Sequence, residues 1–214
     1  MPPVSNKVHP VLPLALFEAV RELDVPPGAE LDAFHRELTV KRLGTSATVA
    51  AQIRRYAELV SAGKRIEADE LAAVLRLVGR RADAPLAFAT AGRIAGRRAA
   101  RLTSRAARAL RRVGTGRMGE GMGFHIARRA ARRVLAADLA RTGEIYQATL
   151  VGAPAAAVVS VGSACGFFGS ALAELLRTFT RFDGALFHTE CRARGAAVCR
   201  WTSAAHGSDA WESH

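Results

Sequence analysis

Three cysteines and one histidine in the C-terminal part of the chain have the types and spacing of a metal site. His188 and Cys191 stand three residues apart in HTECRARGAAVCRW, and Cys199 follows on the predicted return strand. The remaining cysteine, Cys165, opens the helix predicted before this segment. Thiolate sulfur and imidazole nitrogen suit tetrahedral Zn²⁺, and a site closed by four protein ligands is structural because no position remains for water.

Two other interpretations of these residues stay open. Buried cysteines are ordinary core residues, and a histidine beside them can simply pack. A Cys191–Cys199 disulfide fits across a hairpin, but the count of three cysteines leaves one over and the expected compartment is reducing.

Sequence motifs of the common enzyme classes do not occur in the chain. Ser163 lies outside a G-x-S-x-G elbow, and there is no phosphate loop of the G-x-x-x-x-G-K type. We find no dinucleotide fingerprint, flavin site or iron–sulfur cysteine set, so a reductase would need an external electron donor. Binding is therefore favoured over catalysis.

The net charge of +12 arises in one arginine-rich stretch. Thirteen arginines lie between Arg93 and Arg133, with Glu120 as the single acid among them. Such a stretch is typical of a surface for nucleic acid, an anionic membrane or an acidic protein, or of the solvated face of alanine-rich helices. Few aromatic residues and no helix-turn-helix pattern accompany it, so we favour the solvated face and expect no specific nucleic-acid binding. An acidic partner protein and an anionic membrane surface stay as alternatives.

Hydropathy indicates a soluble, cytoplasmic protein. The apolar stretch near the N-terminus is short and is interrupted by Pro10 and Pro13, unlike a signal peptide. No apolar run elsewhere reaches about 18 residues without a charge, so we expect no membrane span.

Residues 1–80 are predicted to form a helical extension. Apolar residues at helical spacing indicate a helix over 11–23, a second that Ser46 caps and Gly63 ends, and a third over 67–78.

Longer helices are expected next. One starts at Pro85 and ends near Gly114, with Gly92 and Gly96 allowing close packing. After the glycine-rich GTGRMGEGMG, a further helix is expected from Phe124 through the segment VLAADLA.

The period then changes to that of strands. EIYQATLVG and AAAVVSVG are predicted strands, followed by a helix capped by Ser163 and by the strands GALFHTEC and AVCRWTS, whose connecting turn contains Gly195. The tail 204–214 is expected to be loose. The pattern predicts an α+β fold, a helical N-terminal extension followed by antiparallel strands packed on helices.

The segment from Ser163 to Trp201 resembles the C-terminal half of the 4-vinyl reductase type domain, a hydrocarbon-binding module. That module occurs in sensory halves of regulators of aromatic catabolism and in a protein of bacteriochlorophyll synthesis. The resemblance covers residues 85–203. Its features are a cysteine that opens the helix and a T-E-C-x-x-x-G-x-x-x-C pattern before an aromatic residue, namely Cys165, Glu190, Cys191, Gly195, Cys199 and Trp201.

The resemblance implies a fold similar to that of vesicle-tethering complex subunits, and a homodimer. Some phenol-sensing members hold zinc with three cysteines and a glutamate at matching spacings. Here His188 would replace the acid. Because all three cysteines fall on the family pattern, a structural zinc is favoured.

The resemblance also implies a pocket for a small hydrophobic or aromatic ligand. We expect the helix with Phe168 and Leu172 and the helix with Phe124 to enclose a cavity over the strand EIYQATLVG, where His125 or Tyr146 orients the ligand. The family name suggests an alternative, an accessory or reductase-like protein of tetrapyrrole metabolism. An interior filled by side chains would instead favour a protein-interaction scaffold.

Overall fold

The computed structural model describes residues 6–24, 46–103, 117–152, 154 and 162–204. Within these ranges the fold is mixed α+β, as predicted, with α-helices and an antiparallel four-stranded sheet packed against them. A helical region forms the N-terminal part.

The N-terminal part contains the three predicted helices. Its elements are β1 (Lys7–Val8), α1 (Val11–Asp24), α2 (Ala47–Ser61), β2 (Ile66–Glu67) and α3 (Ala68–Gly79). The Ser46 hydroxyl accepts a hydrogen bond from the backbone N–H of Val49 at 3.2 Å, which confirms the predicted N-cap. This part is not purely helical, because β1 pairs antiparallel with β2.

The second part contains the sheet. Its elements are α4 (Ala84–Arg101), α5 (Arg117–Ala130), a π-helical turn (Ala131–Leu135), β3 (Ala137–Thr142), β4 (Ile145–Leu150), a 3₁₀ turn (Gly162–Ala164), α6 (Cys165–Phe179), β5 (Leu186–Glu190), a second 3₁₀ turn (Arg192–Arg194) and β6 (Cys199–Ser203). The strand order is β3-β4-β6-β5, and every neighbouring pair is antiparallel.

The middle of the chain differs from the prediction in three places. Helix α4 ends at Arg101 rather than near Gly114, and α5 already begins at Arg117, inside the predicted glycine-rich linker. The segment predicted as the end of a helix forms β3. The chain leaves the helical turn at Ala136, which has a left-handed φ of 51°. Backbone pairing with β4 then stabilises the following residues as a strand.

Ser163 does not cap α6. It lies in a 3₁₀ turn, and Ala164 occupies the N-cap position without a side-chain hydrogen bond. The predicted strand AAAVVSVG, apart from its last residue, and the tail beyond Ala204 lie outside the described residues.

Helix α4 packs against both α1 and α6. Its glycines allow close helix packing, as predicted, and the structure shows that the partner is α6. A Cβ atom on Gly92 would lie 2.4 Å from the carbonyl oxygen of Phe167, and one on Gly96 would lie 2.7 Å from that of Ala171. The N-terminal helices therefore share one continuous apolar core with the sheet domain.

Ion pairs join the two parts of the chain. Arg81 donates to both carboxylate oxygens of Asp24, at 2.7 and 3.0 Å, and Arg98 binds Glu18 with two nitrogens. Part of the arginine-rich stretch is thus neutralised by acids from outside it, because Arg132 also pairs with Asp138 at 2.9 Å.

Within the described ranges, none of the helices combines the length and the apolar character needed to cross a bilayer.

Candidate metal centre

The four predicted ligands meet at the junction of the β5–β6 hairpin with the start of α6. The Sγ atom of Cys165 lies 3.8 Å from the Sγ atoms of both Cys191 and Cys199. One ligand atom from each of these cysteines and from His188 lies within 4.8 Å of all the others. The three cysteines are buried free thiols, and His188 is partly buried.

A β-bulge aligns His188 with Cys191. Residues three apart in a regular strand point to opposite faces of a sheet. Here His188 pairs with Trp201 and Glu190 pairs with Arg200, so Thr189 is an extra residue on β5. The extra residue reverses the alternation, which explains how an H-x-x-C pair can present both ligand atoms on the side of α6.

Trp201 supports the histidine from the neighbouring strand. Its indole ring stacks on the imidazole of His188 with centroids 4.8 Å apart and planes at 17°. On its other side the indole Nε1 would lie 2.8 Å from a Cβ atom on Gly169 of α6, so only glycine leaves room for the ring there. This stack holds the imidazole plane in place beside the sulfurs.

The backbone of the turn after Cys191 provides hydrogen-bond donors to the sulfurs. The N–H of Arg192 lies 3.5 Å from the Sγ atom of Cys199. Burial opposes ionisation of Cys191, but the backbone N–H of Ala193, the Cys165 thiol and Arg194 together hold the pKa of Cys191 below its ordinary value. Cys191 is therefore predisposed to act as a thiolate ligand.

The pKa shifts of Cys165 and His188 also favour binding of a cation at this site. Burial, followed by the nearby Cys199 and Cys191, raises the pKa of Cys165, because three thiolates in one buried site repel each other. Burial, followed by Arg194, lowers the pKa of His188, so its imidazole is neutral as a metal ligand must be. A divalent cation would relieve the repulsion between the sulfurs.

The geometry of the cluster fits zinc. Two sulfurs bound to one tetrahedral zinc at about 2.3 Å lie roughly 3.8 Å apart, which matches both sulfur–sulfur distances from Cys165. The Nε2 atom of His188 is buried and has no hydrogen-bond partner among the described residues, as expected for a nitrogen that coordinates a metal. The cluster can therefore hold a metal ion such as zinc.

The residues predicted to line a ligand pocket lie on three elements: Phe124 and His125 on α5, Tyr146 on β4, and Phe168 and Leu172 on α6. Phe168 and Leu172 are fully buried in the core. The ring of Tyr146 packs between those of Phe124 and Phe182, at centroid distances of 5.9 and 5.4 Å. Their contact with a ligand stays a prediction.

Helices α5 and α6 touch directly where a cavity was expected between them. A Cβ atom on Gly123 would lie 1.9 Å from the carbonyl oxygen of Phe179. The backbones of α5 and α6 are therefore in close contact at this point, and a cavity elsewhere between them stays a prediction.

His125 instead lies on a surface groove between the C-terminal end of α4 and α5. This groove has a volume of about 300 Å³. Its apolar walls include Leu102, Met122, Ile126 and Val134. This groove was not predicted from the sequence, because it depends on the end of α4 at Arg101, whereas the helix was predicted to continue to near Gly114.

Comparison of the chain with protein-family models, with curated proteins and with solved structures found no match. The resemblance to the 4-vinyl reductase type domain therefore stays a prediction.

Proposed function

We propose that this chain is a non-catalytic binding module for a small apolar or aromatic molecule, stabilised by one structural zinc ion. The observation that carries the proposal is the set of four converging N and S donors at Cys165, His188, Cys191 and Cys199. All four positions of a tetrahedral ion are then taken by protein, which leaves no site for an activated water.

The zinc would fasten the sheet to a helix. Cys165 belongs to α6, whereas His188 lies on β5 and Cys199 on β6. Coordination would therefore fix the β5–β6 hairpin against α6, and metal binding would contribute to the folding free energy of the whole sheet.

The groove between α4 and α5 supports the proposal that the chain binds a small ligand. Its volume of about 300 Å³ is roughly twice that of a cavity of ~150 Å³ that holds benzene, so a molecule of one or two aromatic rings fits and a tetrapyrrole does not. Met122 and Leu102 offer exposed apolar surface, and His125 supplies a polar group on the wall.

The proposal is tested by metal analysis and ligand screening of the purified protein. We expect about one zinc per chain, and a rise in melting temperature with phenols or naphthalene derivatives but not with porphyrins. Met122→Glu places a charge in the groove and should abolish that rise. Leu86→Glu, a matched change at an exposed leucine of α4 outside the groove, should preserve it.

Two outcomes would contradict the proposal. Purified protein that contains no metal would contradict the proposed structural zinc. A melting temperature unchanged by every aromatic compound would favour a protein-interaction scaffold. The close contact between α5 and α6 is also compatible with a scaffold, which needs no internal cavity.

A further inference from the structure

A second, basic pocket lies between the N-terminal ribbon and the sheet domain. It has a volume of about 650 Å³ and is distinct from the metal centre. Its walls come from β1, the loop between α2 and β2, and the π-helical turn. The start of β3 and the residues that follow β4 complete them. Four cationic side chains line it, with Asp138 as the acid among the lining residues: Lys7, Arg65, Arg132 and Arg133.

Two of these cations have carboxylate partners. Asp138 accepts hydrogen bonds from Arg132 at 2.9 and 3.0 Å. Lys7 lies 3.9 Å from Glu67 across the ribbon. Among the described residues, neither Arg65 nor Arg133 forms an ion pair, so the pocket has uncompensated positive charge.

The uncompensated arginines are held close together. Arg65 donates from Nη2 to the backbone carbonyl of Arg133 at 2.9 Å, which brings its guanidinium to the end of the π-helical turn. Burial, followed by the charge of Arg133, lowers the pKa of Arg65, in keeping with two like charges that lack an anion between them. The hydrogen bond uses one of five guanidinium donors, and the others remain for a ligand.

His9 adds a neutral donor to the wall. Its Nδ1 atom accepts a hydrogen bond from the backbone N–H of Val11 at 3.2 Å, at the start of α1. Burial, followed by Arg65 and Arg133, lowers the pKa of His9 to about 4. The neutral imidazole therefore carries its proton on Nε2.

The backbone beside the arginines is unusual. The π-helical turn contains Arg132 and Arg133, and it is closed by Ala136 in the left-handed region at φ 51°. Single π-helical turns and left-handed residues other than glycine cost free energy and are frequent at functional sites. Here the turn sets two adjacent arginines on the pocket wall.

We propose that this pocket binds a small organic anion, whose phosphate or carboxylate group lies between Arg65 and Arg133. The apolar part of the ligand would contact Val151, which is 44 % exposed on the same wall. Guanidinium groups form paired, charge-assisted hydrogen bonds with such oxygens. Arg133 also lines the α4–α5 groove, whereas Arg65 lines the basic pocket and not the groove, so the inference does not depend on the ligand proposed for the groove.

The test measures binding of phenyl phosphate and benzoate by calorimetry at low salt, with benzyl alcohol as the uncharged analogue. The wild-type protein should bind at least one of the two anions and not the alcohol. Arg65→Met should weaken binding of that anion about 10- to 100-fold, the loss expected for hydrogen bonds to a charged group. Arg133→Gln removes the second guanidinium but keeps the carbonyl that Arg65 contacts, and it should weaken binding similarly.

Matched variants separate this pocket from general charge and from the groove. Arg129→Gln removes the same charge from an arginine that lines only the groove, and it should change the affinity by less than about twofold. Met122→Glu, which blocks the groove, should leave anion binding intact. Failure of the groove ligand with retained anion binding would then concern the proposed function alone.

Three results would overturn the inference. The first is absence of binding of both anions to the wild-type protein at millimolar concentration. The second is an equal loss in Arg129→Gln and Arg65→Met, which would indicate diffuse charge. The third is Arg65-dependent binding of a short DNA duplex without binding of either small anion, which would make this surface a nucleic-acid interface.

Discussion

At the scale of single residues, the donor set depends on one inserted residue and one stacked ring. The bulge at Thr189 turns His188 and Cys191 to the same side, and Trp201 holds the imidazole plane. The two possible roles of His188, packing on Trp201 and coordinating a metal, require different chemical groups at this position. Packing requires an aromatic ring at position 188, whereas coordination requires a nitrogen.

His188→Phe distinguishes these two roles. The variant keeps an aromatic ring to stack on Trp201 but lacks Nε2, so zinc content should fall and the melting temperature should become insensitive to a chelator. His125→Phe, which changes an exposed histidine outside the donor set, is the control and should retain zinc. A His188→Phe protein with full zinc content would show that His188 only packs.

At the scale of elements, close helix contacts organise the domain around α4 and α6. Glycines mark the places where a backbone from the neighbouring helix approaches, at Gly92 and Gly96 on α4 and at Gly123 on α5. These contacts leave no room for a side chain.

Gly123→Ala should destabilise the protein, because its Cβ atom would meet the carbonyl oxygen of Phe179 and force α5 away from α6. The expected loss is roughly 1–3 kcal/mol in the free energy of unfolding, measured by denaturant titration. A Cβ atom on Gly121 in the same helix would have no atom of another described element within 4 Å, so Gly121→Ala should stabilise the protein by about 0.5–1 kcal/mol. Equal effects of the two changes would contradict the observed α5–α6 contact.

At the scale of the whole molecule, the N-terminal helices contact the sheet domain through α1 and α4. Beside the shared apolar core, Arg81 stabilises this contact, because it binds both Asp24 at the end of α1 and Asp83 before α4. Asp24 is buried. Removal of Arg81 would leave that carboxylate without its guanidinium in the core.

Arg81→Met should lower the melting temperature by several degrees at neutral pH. Hydrogen bonds from Arg81 hold the pKa of Asp83 below its ordinary value of 3.8, so this stabilisation is present above that value and is lost as the pH falls through the lowered pKa. The difference in melting temperature between wild type and variant should therefore shrink in acid. Arg80→Met, a change at the neighbouring exposed arginine, should have little effect at any pH.

Local pattern and residue type were enough to predict several parts of the structure. Apolar residues at helical spacing were enough to predict α1, α2 and α3, and the strands β4, β5 and β6 were likewise found in place. Cys165, His188, Cys191 and Cys199 were identified because few residue types bind zinc, and their spacing suited a hairpin.

Features that depend on partners distant in sequence could be seen only in the folded chain. The segment at Ala137–Thr142 has one leucine and two alanines, which suit a helix, but backbone pairing with β4 made it a strand. The bulge at Thr189 depends on the register with β6, and the basic pocket forms only because Arg65 reaches Arg133, 68 residues later. Such pairings have no local signal, since hydrogen-bond register and helix contact are set by the packing of the whole chain.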